Sequence, residues 1–120
     1  MDTEAGARIE QEIEDEIGYD LPDVIARYTA IDPDMFAAYR QFRAELLDKG
    51  TMPRYQKLLM AIAILTATKQ ADAIDMYAAI ARKEGASAAE LREALRVGIL
   101  FSGGPGIVAA AACADRYGRD

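Results

Sequence analysis

Between Thr66 and Ser87 the sequence reads TATKQADAIDMYAAIARKEGAS. Within it, Lys69, Gln70, Asp72, Asp75 and Tyr77 bring an ammonium, a carboxamide, two carboxylates and a phenol into one segment of helical length. Such a set can hold an anion, donate hydrogen bonds and move a proton. Which of them can act together depends on helical phase. At 3.6 residues per turn, Gln70, Ala73, Ile74, Tyr77, Ile80 and Ala81 share one face, and its apolar character makes it the expected inner one. Asp72, Asp75, Ala79 and Arg82 fall on the other face. The two acids, at i and i+3, are expected to meet solvent or a neighbouring subunit there rather than to do chemistry. Gln70 and Tyr77 are then the polar groups directed inward, and they are the candidate catalytic pair. The plainer reading is that Tyr77 packs its ring and gives its hydroxyl one partner, while Gln70 only begins the helix.

Side chains able to hold an anion are close in sequence. Lys57, with Arg54 before it, flanks an apolar helix, and Lys69 precedes Gln70. Lys57 and Lys69, with Tyr39 and Tyr55 as hydroxyl donors, are the candidate substrate-binding residues. The competing account is that the basic residues lay their stems along apolar surface and keep their heads in water.

Composition removes other chemistries. The 120 residues contain no His, which takes away the commonest near-neutral base and the commonest metal ligand. With one Cys besides, zinc sites of the His or Cys type are close to excluded; an all-carboxylate site for a hard cation stays open, although no ligand loop for one is visible, and no metal or other cofactor is expected. A lone Cys cannot form an intrachain disulfide, which fits a reducing compartment. Cys113 itself sits in an alanine-rich segment with no His to activate it, so it reads as a small buried hydrophobe. The net charge of −6 argues against a nucleic-acid partner. The acidic N-terminus has no signal-peptide character, and the longest apolar run, Leu58 to Leu65, is too short to span a bilayer. The expectation is a cytoplasmic single domain over residues 1–120, without membrane association.

The elements that must position these residues are all helical. Ile9, Ile13 and Ile17 recur at i, i+4 and i+8 and Gly18 follows as a stop. This predicts a short acidic helix at the periphery of the domain, over residues 1–16, whose Glu10, Glu12, Glu14, Asp15 and Glu16 face solvent. Pro22 suits a first helical turn, with Leu21, Val24, Ile25 and Tyr28 along one side. Asp32–Pro33 is an N-cap followed by an N1 proline, and Met35, Phe36, Tyr39, Phe42 and Leu46 mark a stripe that ends towards Gly50. Pro53 opens a helix that is apolar all round from Leu58 to Leu65 and so is expected to be central and covered on several sides. Ser87 and Glu90 form a capping box ahead of a helix whose buried side carries Leu91, Ala94, Leu95, Gly98 and Ile99, with Gly98 implying close backbone contact. The glycines of SGGPGIVAAAACADRYG follow a helix and precede no Lys, so they read as a tight helix–helix turn rather than a phosphate loop. The fold class is all-α, with six or seven helices.

The order of these pieces resembles the carboxymuconolactone decarboxylase family, which includes the alkylhydroperoxidase D-like proteins. The resemblance runs from about Ile17 to Tyr117. It is carried by LPDV…DPDMFAAYRQFR, by KEGASAAELREAL, similar to a Gly-Ala-Thr-x-x-Glu step, and by FSGGPGIVAAAA, similar to a Tyr-Ala-Gly-x-Pro-Ala segment. It implies an alkylhydroperoxidase D-like helical bundle assembled as a trimer or hexamer. The high hydrophobic content, 52%, points the same way, to a homo-oligomer.

The redox branch of that family carries Cys-x-x-Cys-x-x-x-His with an upstream Glu. Counted back from Gly85, those positions hold Gln70, Ala73 and Tyr77, and the upstream position holds Leu58. Peroxidase or disulfide-reductase chemistry has none of its groups here. The decarboxylase branch needs no thiols. The resemblance therefore implies a non-redox lyase acting on a small carboxylated or lactone-like, anionic substrate, although that branch has a His where this chain has Tyr77. A phenol can donate a proton or a hydrogen bond but is a poorer base than imidazole at neutral pH. The alternative is an oligomeric binding or structural member that has lost catalysis. A thiol peroxidase ranks third.

Overall fold

The computed structural model describes the backbone of residues 3–117 and the side chains of residues 4–111 and 113. Among the described residues are seven α-helices and no strand, and no helix is long and apolar enough to cross a membrane. The stretch SGGPGIVAAAACADRYG extends to Gly118, which lies outside the described residues. The helices form two compact groups, residues 1–51 and residues 52–120.

The first group holds α1 (Thr3–Ile17), α2 (Asp23–Ile31) and α3 (Pro33–Asp48), each packed on the other two. Ile9, Ile13 and Ile17 are all buried, as their spacing predicts. The acids of α1 divide, which is a departure from a wholly solvated face. Glu12 and Asp15 are exposed, but Glu16 lies between Arg40 and Arg43 of α3, 3.2 and 3.1 Å away, and Glu14 accepts the Leu21 amide at 3.0 Å. A carboxylate so placed fixes the register of α1 on α3, something a count of acids on one helix does not show. Asp32 caps α3 through Oδ1 to the Met35 amide, with Pro33 following. Along α3 the apolar stripe splits. Phe36 turns inward against Tyr28, ring centroids 5.7 Å apart and edge to face, whereas Met35, Tyr39, Phe42 and Leu46 remain exposed.

The second group holds α4 (Arg54–Ala67), α5 (Ala71–Lys83), α6 (Ala88–Ser102) and α7 (Gly104–Tyr117). Its core is Leu58 and Ile62 of α4, Ile74 and Ile80 of α5, Leu91 and Leu95 of α6 and Cys113 of α7. Each such aliphatic side chain contributes about 1.5–3 kcal/mol when fully buried. α4 is not covered all round: Met60 and Ile64 are 51% and 62% exposed, because α5, α6 and α7 leave one side of it open. The α4–α6 contact is close because Gly98 has no side chain. A Cβ there would run into Thr66 and stand 2.6 Å from the Ala63 carbonyl oxygen. Thr66 is wholly buried and returns its hydroxyl to the Ile62 carbonyl at 2.7 Å. The capping box at Ser87 and Glu90 is complete in both directions, at 3.0 Å each. One residue, Gly103 with φ of 69°, separates α6 from α7, the tight turn expected of the glycine run.

Candidate functional site

The candidate side chains are positioned by the α4–α5 hairpin. Its turn is a Schellman-type closure. The Gln70 amide donates to the Leu65 carbonyl at 2.9 Å and the Lys69 amide to the Thr66 carbonyl at 3.1 Å. That closure puts Lys69 at the left-handed position, with φ of 60°, where glycine is the usual occupant. At the far end of the hairpin, Arg54 of α4 forms an ion pair with Glu84 just past α5. Turn and ion pair together fix an antiparallel register in which Tyr77 lies level with the Ala61 turn of α4. Lys57 is then about one helical turn away along the axis, ~6 Å, and Lys69 about two turns, ~12 Å.

This register sorts the candidates. Tyr77 sits in the middle of the hairpin, half-buried, on the face shared with Ile74, Ile80 and Ala81, all of which are buried. Lys57 and Tyr55, both half-buried, belong to the first turns of α4, on the Arg54–Glu84 side. Lys69 and Gln70 are exposed at the opposite end. Gln70 does not point inward as its place on the stripe suggests. It stands before the first turn of α5 and donates its Nε2 to the Thr68 carbonyl at 3.1 Å, in solvent. The stripe rule assumes a helix that has already begun, and at position 70 it has not. Tyr39 belongs to α3 in the other helical group, where it is 48% exposed and stacked obliquely near Phe36.

The other face of α5 also departs from expectation. Ala79 is buried and Asp75 is half-buried with its Oδ1 enclosed, because α7 packs along that side. Asp75 thereby faces Cys113. Desolvation of the wholly buried thiol, with the negative charge of Asp75 adding to it, pushes Cys113 up from 9.0 to about 11. The Sγ is occupied with the Ala110 carbonyl oxygen at 3.5 Å. A thiol held protonated and sealed from solvent is a packing group, not a nucleophile. Asp75 is the polar residue that sequence reasoning placed wrongly. Only the packing of α7 against its side of α5 could have located it, and no spacing within α5 carries that information. It lies about 200° around the helix from Tyr77, so the two do not converge on one point.

Comparison with known proteins bears on the same hairpin. The carboxymuconolactone decarboxylase family model matches residues 33–116, which contain all of α3 to α6 and nearly all of α7.

The chain belongs to the carboxymuconolactone decarboxylase family.

Its fold is shared with a crystal structure of a Burkholderia xenovorans LB400 protein assigned as a carboxymuconolactone decarboxylase. The TM-score is 0.74 over 94% of this chain and 91% of that one, at 22% sequence identity. No curated protein matches the sequence. Within the carboxymuconolactone decarboxylase fold, α5 thus carries Ala73 and Tyr77 here, with no histidine in the chain and its one cysteine, Cys113, buried on α7.

Proposed function

We propose that the protein is a thiol-independent, lyase-type member of the carboxymuconolactone decarboxylase family, acting on a small anionic substrate of the carboxylated or lactone-like kind. The observation that carries this reading is the state of the one thiol: Cys113 is wholly buried, held protonated, and far from any second cysteine because none exists. Family membership without usable sulfur chemistry leaves the decarboxylase type of reaction. In that reaction the bond between a carbon and its carboxylate breaks, carbon dioxide leaves, and the electron pair stays on a carbon conjugated to a carbonyl. A proton is then delivered to that carbon. The chain must supply a proton donor, a cation for the remaining anionic group, and an apolar wall that disfavours the departing carboxylate. Tyr77 is the donor, Lys57 the cation at the nearer level of the hairpin, and the half-buried Ala73, one turn before Tyr77 on the same face, part of the apolar wall. Lys69 and Gln70, at the exposed end, act at the entrance.

A non-catalytic binding or structural role is the second reading, and the chemistry at position 77 favours it in one respect: a phenol replaces the imidazole of the decarboxylase branch. The two readings part in a thermal-shift screen of carboxylated lactones and unsaturated diacids, followed by assay of carbon dioxide release. The lyase reading expects stabilisation by a subset of these ligands. It also expects turnover reduced at least tenfold in Tyr77→Phe with the melting temperature nearly unchanged, and ligand stabilisation weakened in Lys57→Ala. Binding without turnover in the wild type would support the second reading, and the absence of any ligand-induced shift would remove the first.

A further inference from the structure

We propose that α1, α2 and α3 open and close as one cooperative unit, short of global unfolding, and that Glu16, held between Arg40 and Arg43, is the latch that keeps this unit closed. The inference goes beyond the proposed reaction and does not depend on it. Its first support is how little each of the three helices can bury without the others. Among the described residues of α1–α3, four large apolar side chains are buried, Ile9, Ile13, Ile17 and Phe36. Three of the four come from α1, and each helix packs on the other two. When α1 leaves, α2 and α3 lose most of their core, and helices of 9 and 16 residues are marginal in water without one. Opening of one helix is therefore opening of all three. The α4–α7 group buries more on its own account, with Leu58, Ile62, Ile74, Ile80, Leu91 and Leu95 all in its core. The α1–α3 unit is accordingly the one that opens at the lower free energy.

The second support is the latch itself. Glu16 stands beside the buried Ile17 at the end of α1, and each of its oxygens holds one guanidinium. Oε1 meets Arg40 Nη1 at 3.2 Å and Oε2 meets Arg43 Nη1 at 3.1 Å. The three side chains are only 10–16% exposed, so solvent and salt screen them less than a surface pair. Arg40 and Arg43, at i and i+3, share one face of α3. Without the carboxylate, two like charges remain side by side and largely out of water, the costly outcome of breaking a buried pair. The third support is the chain that leaves the unit. Residues 49–53 form neither helix nor strand, all five are exposed, and Gly50 takes a φ of 114°. No helix runs on from α3 into α4, so loss of the α3 hydrogen bonds does not propagate into α4 along the backbone.

The experiment is native-state hydrogen exchange of the full chain, read by mass spectrometry at one protein concentration along a urea series below the global transition. In the wild type, amides of α1, α2 and α3 should lose protection together, at lower urea than those of α4, α5 and α6. Glu16→Gln should then speed exchange at least tenfold in all three helices of the unit, α2 included, although the two ion pairs join only α1 and α3. Exchange in α4, α5 and α6 should stay within twofold. Glu12→Gln makes the same change of charge at an exposed position of the same helix and should leave every segment within twofold. A wild type in which α1–α3 lose protection together with α4–α6, or one helix at a time, overturns the cooperative unit. A Glu16→Gln variant that behaves like Glu12→Gln, or that speeds only the last turn of α1, overturns the latch. Should Glu16→Gln fail to fold, Arg40→Met takes its place, since it removes one ion pair and leaves Glu16 paired with Arg43, and the same two outcomes decide.

Discussion

Cys113 gives the sharpest statement at the scale of a single residue. Its thiol ionises near 11 in the folded chain, against 9.0 as the ordinary value, first because it is desolvated and second because Asp75 is beside it. Below pH 9 the thiol is protonated in both the folded and unfolded chain and contributes no pH dependence. Between 9 and 11 the unfolded chain releases this proton and the folded chain keeps it, so stability falls as pH rises. At about 1.4 kcal/mol per unit, the loss over that window is on the order of 3 kcal/mol. Denaturant midpoints measured from pH 8 to 11 should therefore decline more steeply in the wild type than in Cys113→Ala, which lacks the group. Parallel curves would show that the thiol ionises as easily folded as unfolded. The same burial predicts that a thiol reagent labels the native protein negligibly and the unfolded protein stoichiometrically. Both outcomes bear on function, because a thiol that titrated near neutrality would reopen the redox chemistry that its present surroundings close. The residue type was legible in the sequence, a cysteine among alanines with no histidine to serve it. Its acidic neighbour was not, because Asp75 and Cys113 are 38 positions apart and meet only through the packing of α5 on α7.

At the scale of the element, the α4–α5 hairpin shows what pattern reading supplies and where it stops. The helices themselves, the Asp32 cap, the Ser87–Glu90 box and the close approach at Gly98 are local in origin, and each was readable from residue type and spacing. The turn between α4 and α5 was not, because its left-handed residue is a lysine where the usual signal is a glycine. The inward direction expected of Gln70 failed for a related reason: the helix begins one residue later. A lysine at φ of 60° costs stability relative to glycine, so Lys69→Gly should stabilise the protein by about 0.5–1 kcal/mol once the greater freedom of glycine in the unfolded chain is allowed for. If Lys69 also meets the substrate anion at the entrance, the variant should gain melting temperature in the absence of ligand and lose part of the ligand-induced shift. A gain without that loss would confine Lys69 to its conformational effect and leave Lys57 as the anion-holding side chain. No gain at all would mean that the side chain's own contacts offset the backbone strain.

At the scale of the whole molecule, the dominant fact is how much apolar surface the described chain leaves uncovered. Beyond the α3 stripe, Leu100, Phe101 and Val108 around the α6–α7 corner are each about three-quarters exposed, at 75%, 77% and 76%. The helices of each group bury their own core and still present large side chains outward, a surface suited to association with further copies or other partners. Hydrophobic content alone raises the expectation of exposed apolar surface, but not which faces are left open, because one stripe cannot announce whether its neighbours in the fold will cover it. Met60 and Ile64 on a helix expected to be enclosed make the point. If folded chains associate through these faces, the equilibrium is drawn away from the unfolded state, and the melting temperature is expected to depend on protein concentration. For a dimeric contact each tenfold rise in concentration adds about 1.4 kcal/mol, which for a chain pair of this size corresponds to roughly 3–5 °C. The net charge of −6 per chain opposes association through mutual repulsion, and added salt should screen it, so the dependence should begin at lower concentration in 0.5 M than in 0.05 M sodium chloride. Calorimetry from 1 to 100 µM at the two salt concentrations measures both effects. A melting temperature flat across that range would mean that the exposed side chains are solvated in the working protein and that its stability is that of the isolated chain.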